Sequence, residues 1–197
     1  MTTFVSTLFI SLDGVAEIDP AWHFPYFDEA MGAAVGEDYS GIDVLLLGRV
    51  TYDSFAGAWP EREEAGGDDA GFARALGDVR KVVATRSRTD LGWRNAETTA
   101  DLLGAVRALR AEDVGRVLVA GSLQVVRQLL AAGELDEVRL LVHPVVAGHG
   151  ERLFDGPALL PLRLLRSETL PTGVLRLWYA PGEKATSTAP KPAPAGA

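Results

Sequence analysis

Two rhythms of hydrophobic and polar residues alternate along the chain. Short runs rich in Val, Leu and Ile predict strands at Thr3–Ile10, Asp43–Leu47, Lys81–Ala84, Arg116–Ala120, Glu137–Val142, Leu162–Leu170 and Val174–Tyr179. Between them, apolar residues at helical spacing predict helices at Phe24–Val35, Arg49–Phe55, Ala100–Arg110 and Ser122–Ala132. The unbroken runs Val44-Leu45-Leu46-Leu47 and Val117-Leu118-Val119-Ala120 suit central strands buried on both faces, as parallel sheets require. Pro171-Thr172-Gly173 joins the last two runs into an antiparallel hairpin at the sheet edge. Thr99 and Ser122 stand where N-caps belong, and Gly133 stands where a C′ glycine closes a helix. The alternation predicts an α/β domain with a mostly parallel central sheet.

Composition narrows the picture. The chain has 197 residues, enough for one domain with a full core, and the pattern assigns residues 1–180 to it. From Pro181 to Ala197 the sequence PGEKATSTAPKPAPAGA offers too little apolar surface to offset ordering, so a disordered Pro/Ala-rich tail is expected there. The acidic, glycine-bearing stretch Glu61–Gly71 reads as a surface loop. Nineteen Lys and Arg against 27 Asp and Glu give a net charge of −8, which leaves no electrostatic footprint for nucleic acid or an anionic membrane surface. No apolar stretch approaches the roughly 20 residues that span a bilayer, and no basic segment precedes the first apolar run, so a cytoplasmic protein is expected. The absence of cysteine excludes disulfides, thiol nucleophiles and thiolate metal sites, and the three histidines are too scattered in sequence for a metal-site spacing.

Candidate chemistry gathers at strand ends. Leu47-Gly48-Arg49 and Ala120-Gly121-Ser122 each place a glycine between a buried strand and a helix. A ligand can approach the backbone closely there, and the free N–H groups and dipole of the helix start suit a phosphate. Two such junctions in one parallel sheet would serve a dinucleotide, although glycine at such a junction also has an ordinary packing use. Thr85-Arg86-Ser87-Arg88 follows a third strand with guanidinium and hydroxyl donors suited to a phosphate monoester, and equally reads as a solvated turn. No Gly-x-Gly-x-x-Gly opens a first strand–helix turn, so the fingerprint of a Rossmann site is missing. The first 48 residues hold no Lys or Arg but contain Asp13, Trp22, His23, Phe24, Tyr26, Phe27, Asp28 and Glu29, an aromatic and acidic set suited to a flat heterocycle with N–H donors. Phe24, Phe27 and Met31 also fit a helix's core face.

These residues stand in a familiar order. Ser11-Leu12-Asp13-Gly14, Gly48-Arg49-Val50-Thr51-Tyr52, Thr85-Arg86-Ser87, Ala120-Gly121-Ser122, Leu135-Asp136-Glu137, His143-Pro144-Val145-Val146 and Gly148-His149-Gly150-Glu151-Arg152-Leu153-Phe154 closely resemble segments of the dihydrofolate reductase-like family. That family includes the C-terminal reductase domain of the bifunctional riboflavin-biosynthesis deaminase/reductase, and the likeness runs from Thr3 to Tyr179. It implies a dihydrofolate reductase-like three-layer fold, NADPH as cofactor, a small heterocyclic substrate and a homodimer for which the C-terminal hairpin is a candidate surface. It assigns Gly48, Arg49, Thr51, Gly121, Ser122 and Leu123 to the cofactor, and Thr85, Arg86 and Ser87 to its 2′-phosphate. The loop after the first strand lies over the nicotinamide in the family, which places Leu12 and Asp13 beside hydride transfer. Trp22 and Phe27 then face the substrate, with Asp28 as the nearest counterpart of the family's substrate-binding acid. A chain without cysteine cannot carry the Pro-Cys-x-x-Cys zinc site of the partner deaminase, so a stand-alone reductase-like domain is implied.

Two departures bear on the substrate. Gly121-Ser122 replaces the glycine run of dihydrofolate reductase itself, which points toward the riboflavin-type relatives. The basic residues with which those relatives grip a ribose phosphate are missing before Arg49, leaving His23, His149 or Arg152 to substitute. The expected activity is hydride transfer from NADPH to a pteridine- or aminopyrimidine-like ring, with Asp28, or a water held by Asp13 or Thr51, supplying the proton. Two other classes remain open at this stage: a non-catalytic dimeric module that binds a nucleotide or pteridine, and a hydrolase using Ser122, His143 and Asp136, which lacks a Gly-x-Ser-x-Gly elbow.

Overall fold

In a computed structural model, residues 1–156 and 159–182 are described. Strands β1 (Thr3–Ser11), β2 (Val44–Gly48), β3 (Arg80–Ala84), β4 (Ala96–Thr99), β5 (Arg116–Ala120), β6 (Glu137–His143), β7 (Leu162–Thr169) and β8 (Leu175–Pro181) form one sheet of order β4-β3-β2-β5-β1-β6-β8-β7. The first six run parallel, and β8 and β7 complete the sheet antiparallel. This is the expected α/β dihydrofolate reductase-like three-layer architecture with its antiparallel hairpin, whose turn is closed by Gly173 donating to Leu170 O at 2.9 Å.

Alternation along the strands builds the layers. Val44, Leu46, Val117 and Val119 face helices α5 (Leu102–Glu112) and α6 (Leu123–Ala132), while Leu45, Leu47, Leu118 and Ala120 face α3 (Arg49–Ala65) and α4 (Ala70–Asp78). Helix α2 (Glu29–Tyr39) covers β6 and β8 with Met31 and Ala34. Its buried Asp38 accepts from Thr7 Oγ1 at 2.8 Å, Arg139 at 2.8 Å and Arg176 at 3.2 Å, a paired charge that fixes α2 on the sheet. The edge strand β7 leaves Leu164 and Leu165 exposed.

Several boundaries differ from expectation, each for a local reason. The helix expected over 24–35 is split: α1 (Pro20–His23) runs into a 3₁₀ turn at Phe24–Tyr26, and Asp28 then accepts from Met31 N at 2.9 Å as the N-cap of α2. Helix α3 continues past Phe55 through Pro60, because Trp59 packs on Phe72 with ring centroids 5.1 Å apart and Glu63 pairs with Arg94 at 2.7 Å. The loop expected at Glu61–Gly71 is therefore mostly helix, α3 ending at Ala65 and α4 beginning at Ala70. The polar strand β4 has no apolar run to announce it and, among the described residues, pairs with β3 alone. Asp101, not Thr99, caps α5, accepting from Gly104 N at 2.8 Å. Gly133 ends α6 in the left-handed region at φ 72°, as expected. Pro181 belongs to β8, and Gly182 N donates to Pro161 O at 2.7 Å, so the chain is ordered there; the rest of the expected tail lies outside the described residues.

Candidate active site

The carboxyl ends of β2, β3, β4 and β5 open into one cleft of about 1090 Å³ that extends to β1 and the loop behind it. All nine residues expected to meet the cofactor line it: Gly48, Arg49, Thr51, Thr85, Arg86, Ser87, Gly121, Ser122 and Leu123. Leu12, Asp13, Trp22, Phe27 and Asp28 do not belong to its lining.

The helix starts differ in a way that bears on function. Asp19, Asp28 and Asp101 fill the N-termini of α1, α2 and α5 with carboxylate oxygens. Helices α3, α4 and α6 have no side-chain cap, and of these the α3 and α6 starts, at Gly48–Arg49 and Ser122–Leu123, line the cleft, where no capping carboxylate occupies them. Ser122 is turned from capping by its neighbours. Its Oγ donates to Thr51 Oγ1 at 2.8 Å and accepts from Gly48 N at 2.7 Å, while its own N–H donates to Thr51 Oγ1 at 3.1 Å. Thr51 and Ser122 thus stitch the two glycine junctions together. Space is tight at this seam, since a Cβ on Gly121, where φ is +56°, would lie 3.3 Å from Thr51 Cγ2, and one on Gly48 would lie 3.3 Å from Ser122 Oγ.

The three arginines near this seam are not equivalent. Arg49 pairs with Asp53 at 3.0 Å, and Arg88 pairs with the same carboxylate and donates to Asp90 O at 2.8 Å. Arg86 is exposed and has no ion pair among the described residues. It lies at the β3 end of the cleft, beyond the two helix starts in sheet order.

The acids and aromatics of the first 30 residues have other duties. Asp13 accepts from Ser11 Oγ at 2.7 Å, Ala147 N at 2.9 Å, Gly148 N at 3.0 Å and Arg152 Nη2 at 3.2 Å. The Ser11 hydroxyl and the Ala147 amide hold its carboxyl far below the usual carboxylate range, so it is a poor proton donor. Asp13 is the pin of a clasp between two loops. Ala16 N and Glu17 N donate to Glu151 O, Glu151 N donates back to Glu17 Oε2 at 2.9 Å, and Leu153 N donates to Gly14 O at 2.9 Å. The clasp brings Glu17 and Glu151 onto the cleft. Replacement Asp13→Asn puts an amide donor against the Gly148 and Arg152 donors, and the Ala147 and Gly148 amides should then exchange roughly tenfold faster with solvent, as amide exchange measured by NMR will show.

Trp22 is buried edge-on to His143, with centroids 5.0 Å apart, and belongs to the core. Phe27 and Phe24 flank His23 at 5.4 and 5.3 Å and are partly exposed. This aromatic group reaches the cleft through Phe9, which lies 4.3 Å from His23. His143 Nδ1–H donates to Leu141 O at 3.1 Å, which leaves Nε2 to accept from His23 Nδ1–H at 3.3 Å. A ring accepting at Nε2 and donating from Nδ1 is neutral, and burial disfavours the charged form of both histidines. Burial and the adjacent His143 push His23 down to about 4, and burial also lowers His143. An unfolded chain takes up a proton near pH 6.5 that folded His23 refuses until about pH 4, so stability is full above 6.5 and falls through that window. The loss should approach about 3 kcal/mol, and His23→Phe should remove up to about 1.4 kcal/mol per pH unit of slope in denaturant titrations.

The hydrolase alternative does not survive this geometry. Ser122 is bound to Thr51 and Gly48, His143 to His23 and Leu141, and Asp136 accepts from Phe4 N at 2.7 Å and Arg110 at 3.2 Å. Among the described residues no group of three or more His, Asp or Glu side chains is arranged to hold a metal ion, and no helix is long and apolar enough to cross a membrane. Sequence reasoning missed the part of the cleft where Phe9 of β1, Ile18 behind it, Val35 of α2 and Phe55 of α3 supply apolar walls and Glu17 and Glu151 supply carboxylates. Of these residues, only Glu151 lies in a segment that carries the family resemblance.

Known proteins are similar to this chain in sequence and in fold. An uncharacterized protein YyaP of Bacillus subtilis is 24% identical over 139 residues, covering 70% of this chain and 73% of its own length. The crystal structure of a putative riboflavin biosynthesis protein from Shewanella sp. PV-4 superposes with a TM-score of 0.68 at 17% identity, covering 91% of this chain and 99% of that one. A diaminohydroxyphosphoribosylaminopyrimidine deaminase/5-amino-6-(5-phosphoribosylamino)uracil reductase from Thermotoga maritima superposes with a TM-score of 0.64 at 17% identity over 91% of this chain, which spans 56% of that longer protein. The sequence profile of the RibD C-terminal domain matches residues 2–176, and the chain belongs to that family.

Proposed function

We propose that this protein is an NADPH-dependent reductase of a small planar heterocycle. The observation that carries the reading is the convergence, in one cleft, of two helix N-termini without side-chain caps and an arginine that has no ion pair among the described residues. The donor set fits NADPH. The α3 and α6 starts would hold the pyrophosphate, with Gly48 and Gly121 allowing close approach, and Arg86 with Thr85 and Ser87 would hold the 2′-phosphate. When bound, the cofactor supplies a hydride.

The chain's own residues supply position and dryness. The Thr51–Ser122–Gly48 bonds keep the two phosphate-binding turns at fixed separation. Phe9, Ile18, Val35 and Phe55 offer flat and aliphatic walls that exclude water from a ring at the β1 side. Burial pushes the Tyr39 phenol up, which keeps this lining residue protonated even in alkaline solution. Asp28 is committed to its helix cap and Asp13 to the loop clasp, so the proton that completes reduction of a C=N or C=O bond comes from water at the cleft mouth. Absorbance at 340 nm tests the reading: NADPH should be consumed steadily with a panel of aminopyrimidines and pterins. Tight NADPH binding with no turnover on any of them would favour a non-catalytic nucleotide-binding module instead.

A further inference from the structure

We infer, resting on the reductase reading, that the β1 side of the cleft selects an unphosphorylated heterocycle bearing N–H groups, through the carboxylates of Glu17 and Glu151. Among the described residues, the cations lining the cleft are Arg49 and Arg86, both at the ends of β2 and β3 and both on the cofactor side. Across the cleft the only charged side chains lining the β1 side are Glu17 and Glu151.

The cations nearest these two acids are already engaged. Arg127 donates to Glu151 Oε1 at 2.5 Å and to Leu153 O at 3.0 Å, and it also bonds Arg152 O. Arg152 donates to Asp13 O at 2.9 Å and to Asp13 Oδ2 at 3.2 Å. Glu17 Oε2 accepts from Glu151 N, so Glu17 Oε1 and Glu151 Oε2 have no protein donor among the described residues. Two free carboxylate oxygens beside apolar walls accept ring or exocyclic N–H groups. A phosphate dianion in the same place meets like charge and no spare cation. The Thermotoga relative is named for a phosphoribosyl substrate, whereas the described lining of this cleft holds no cation on the β1 side to pair with a phosphate.

The probes are 6-ribitylaminouracil and its 5′-phosphate, titrated calorimetrically into the full chain with and without saturating NADPH. The unphosphorylated ring should bind at least tenfold more tightly than the phosphate, and Glu17→Gln and Glu151→Gln should each narrow that gap several-fold. Equal affinity, preference for the phosphate, or no binding of either ring overturns the inference. Failure of NADPH to bind while the ring preference persists would instead overturn the reductase reading, so the two failures are distinguishable.

Discussion

Replacing Arg86 with Ala should raise the Kd for NADPH between ten- and a hundredfold while changing that for NADH less than threefold. The expectation follows from the unequal engagement of three neighbouring arginines. Arg49 and Arg88 share Asp53, so their charge toward a ligand is already partly neutralised. Arg86 has no such partner among the described residues, and its guanidinium is free to make charge-assisted bonds. Such bonds contribute about 1.5–3 kcal/mol, which is the fold-change expected here. NADH lacks the 2′-phosphate and should be nearly indifferent. Calorimetry with both cofactors checks it, and equal weakening of the two would remove Arg86 from that role.

Lys81→Met should lower the melting temperature by about 6–12 °C, an effect of about 3 kcal/mol in a chain of this size, while leaving NADPH affinity within twofold. Lys81 is fully buried at the start of β3. Its ammonium donates to Gly77 O at 2.9 Å, Val79 O at 2.8 Å and Arg94 O at 3.1 Å, and lies 4.3 Å from the Trp93 ring centroid. Burial pushes its pKa down to about 8, against three carbonyls and an indole face that favour the charged form, so it is charged at neutral pH. Methionine matches the length but offers no donor, and three partly buried carbonyls lose a bond together. Differential scanning calorimetry reads the shift. A change below 2 °C would mean that water replaces the ammonium.

The part of the cleft proposed to hold the cofactor was legible in the sequence because it is local. A buried strand, a glycine and a helix start are contiguous, so Leu47-Gly48-Arg49 and Ala120-Gly121-Ser122 carry their geometry within a few residues. Likewise Val44–Leu47 and Val117–Ala120 are apolar on both faces because helices cover both faces. The β1 side was not legible, because Glu17 and Glu151 reach it only when residues 13–17 and 147–153, more than 130 positions apart, are clasped together by bonds between groups distant in sequence. Asp13 therefore looked like a chemical acid when it is a pin, and Trp22 looked like a binding wall when it is core. Helix α3 shows the same override on a smaller scale, as the Trp59–Phe72 contact and the Glu63–Arg94 pair carry it through Pro60.

The central claim is that two uncapped helix starts and Arg86 form an NADPH site. Calorimetric titration of the purified protein with NADPH and with NADH tests it most directly. The account predicts a micromolar Kd for NADPH and at least tenfold weaker binding of NADH. Absence of heat with either cofactor, or equal affinity for both, would contradict it.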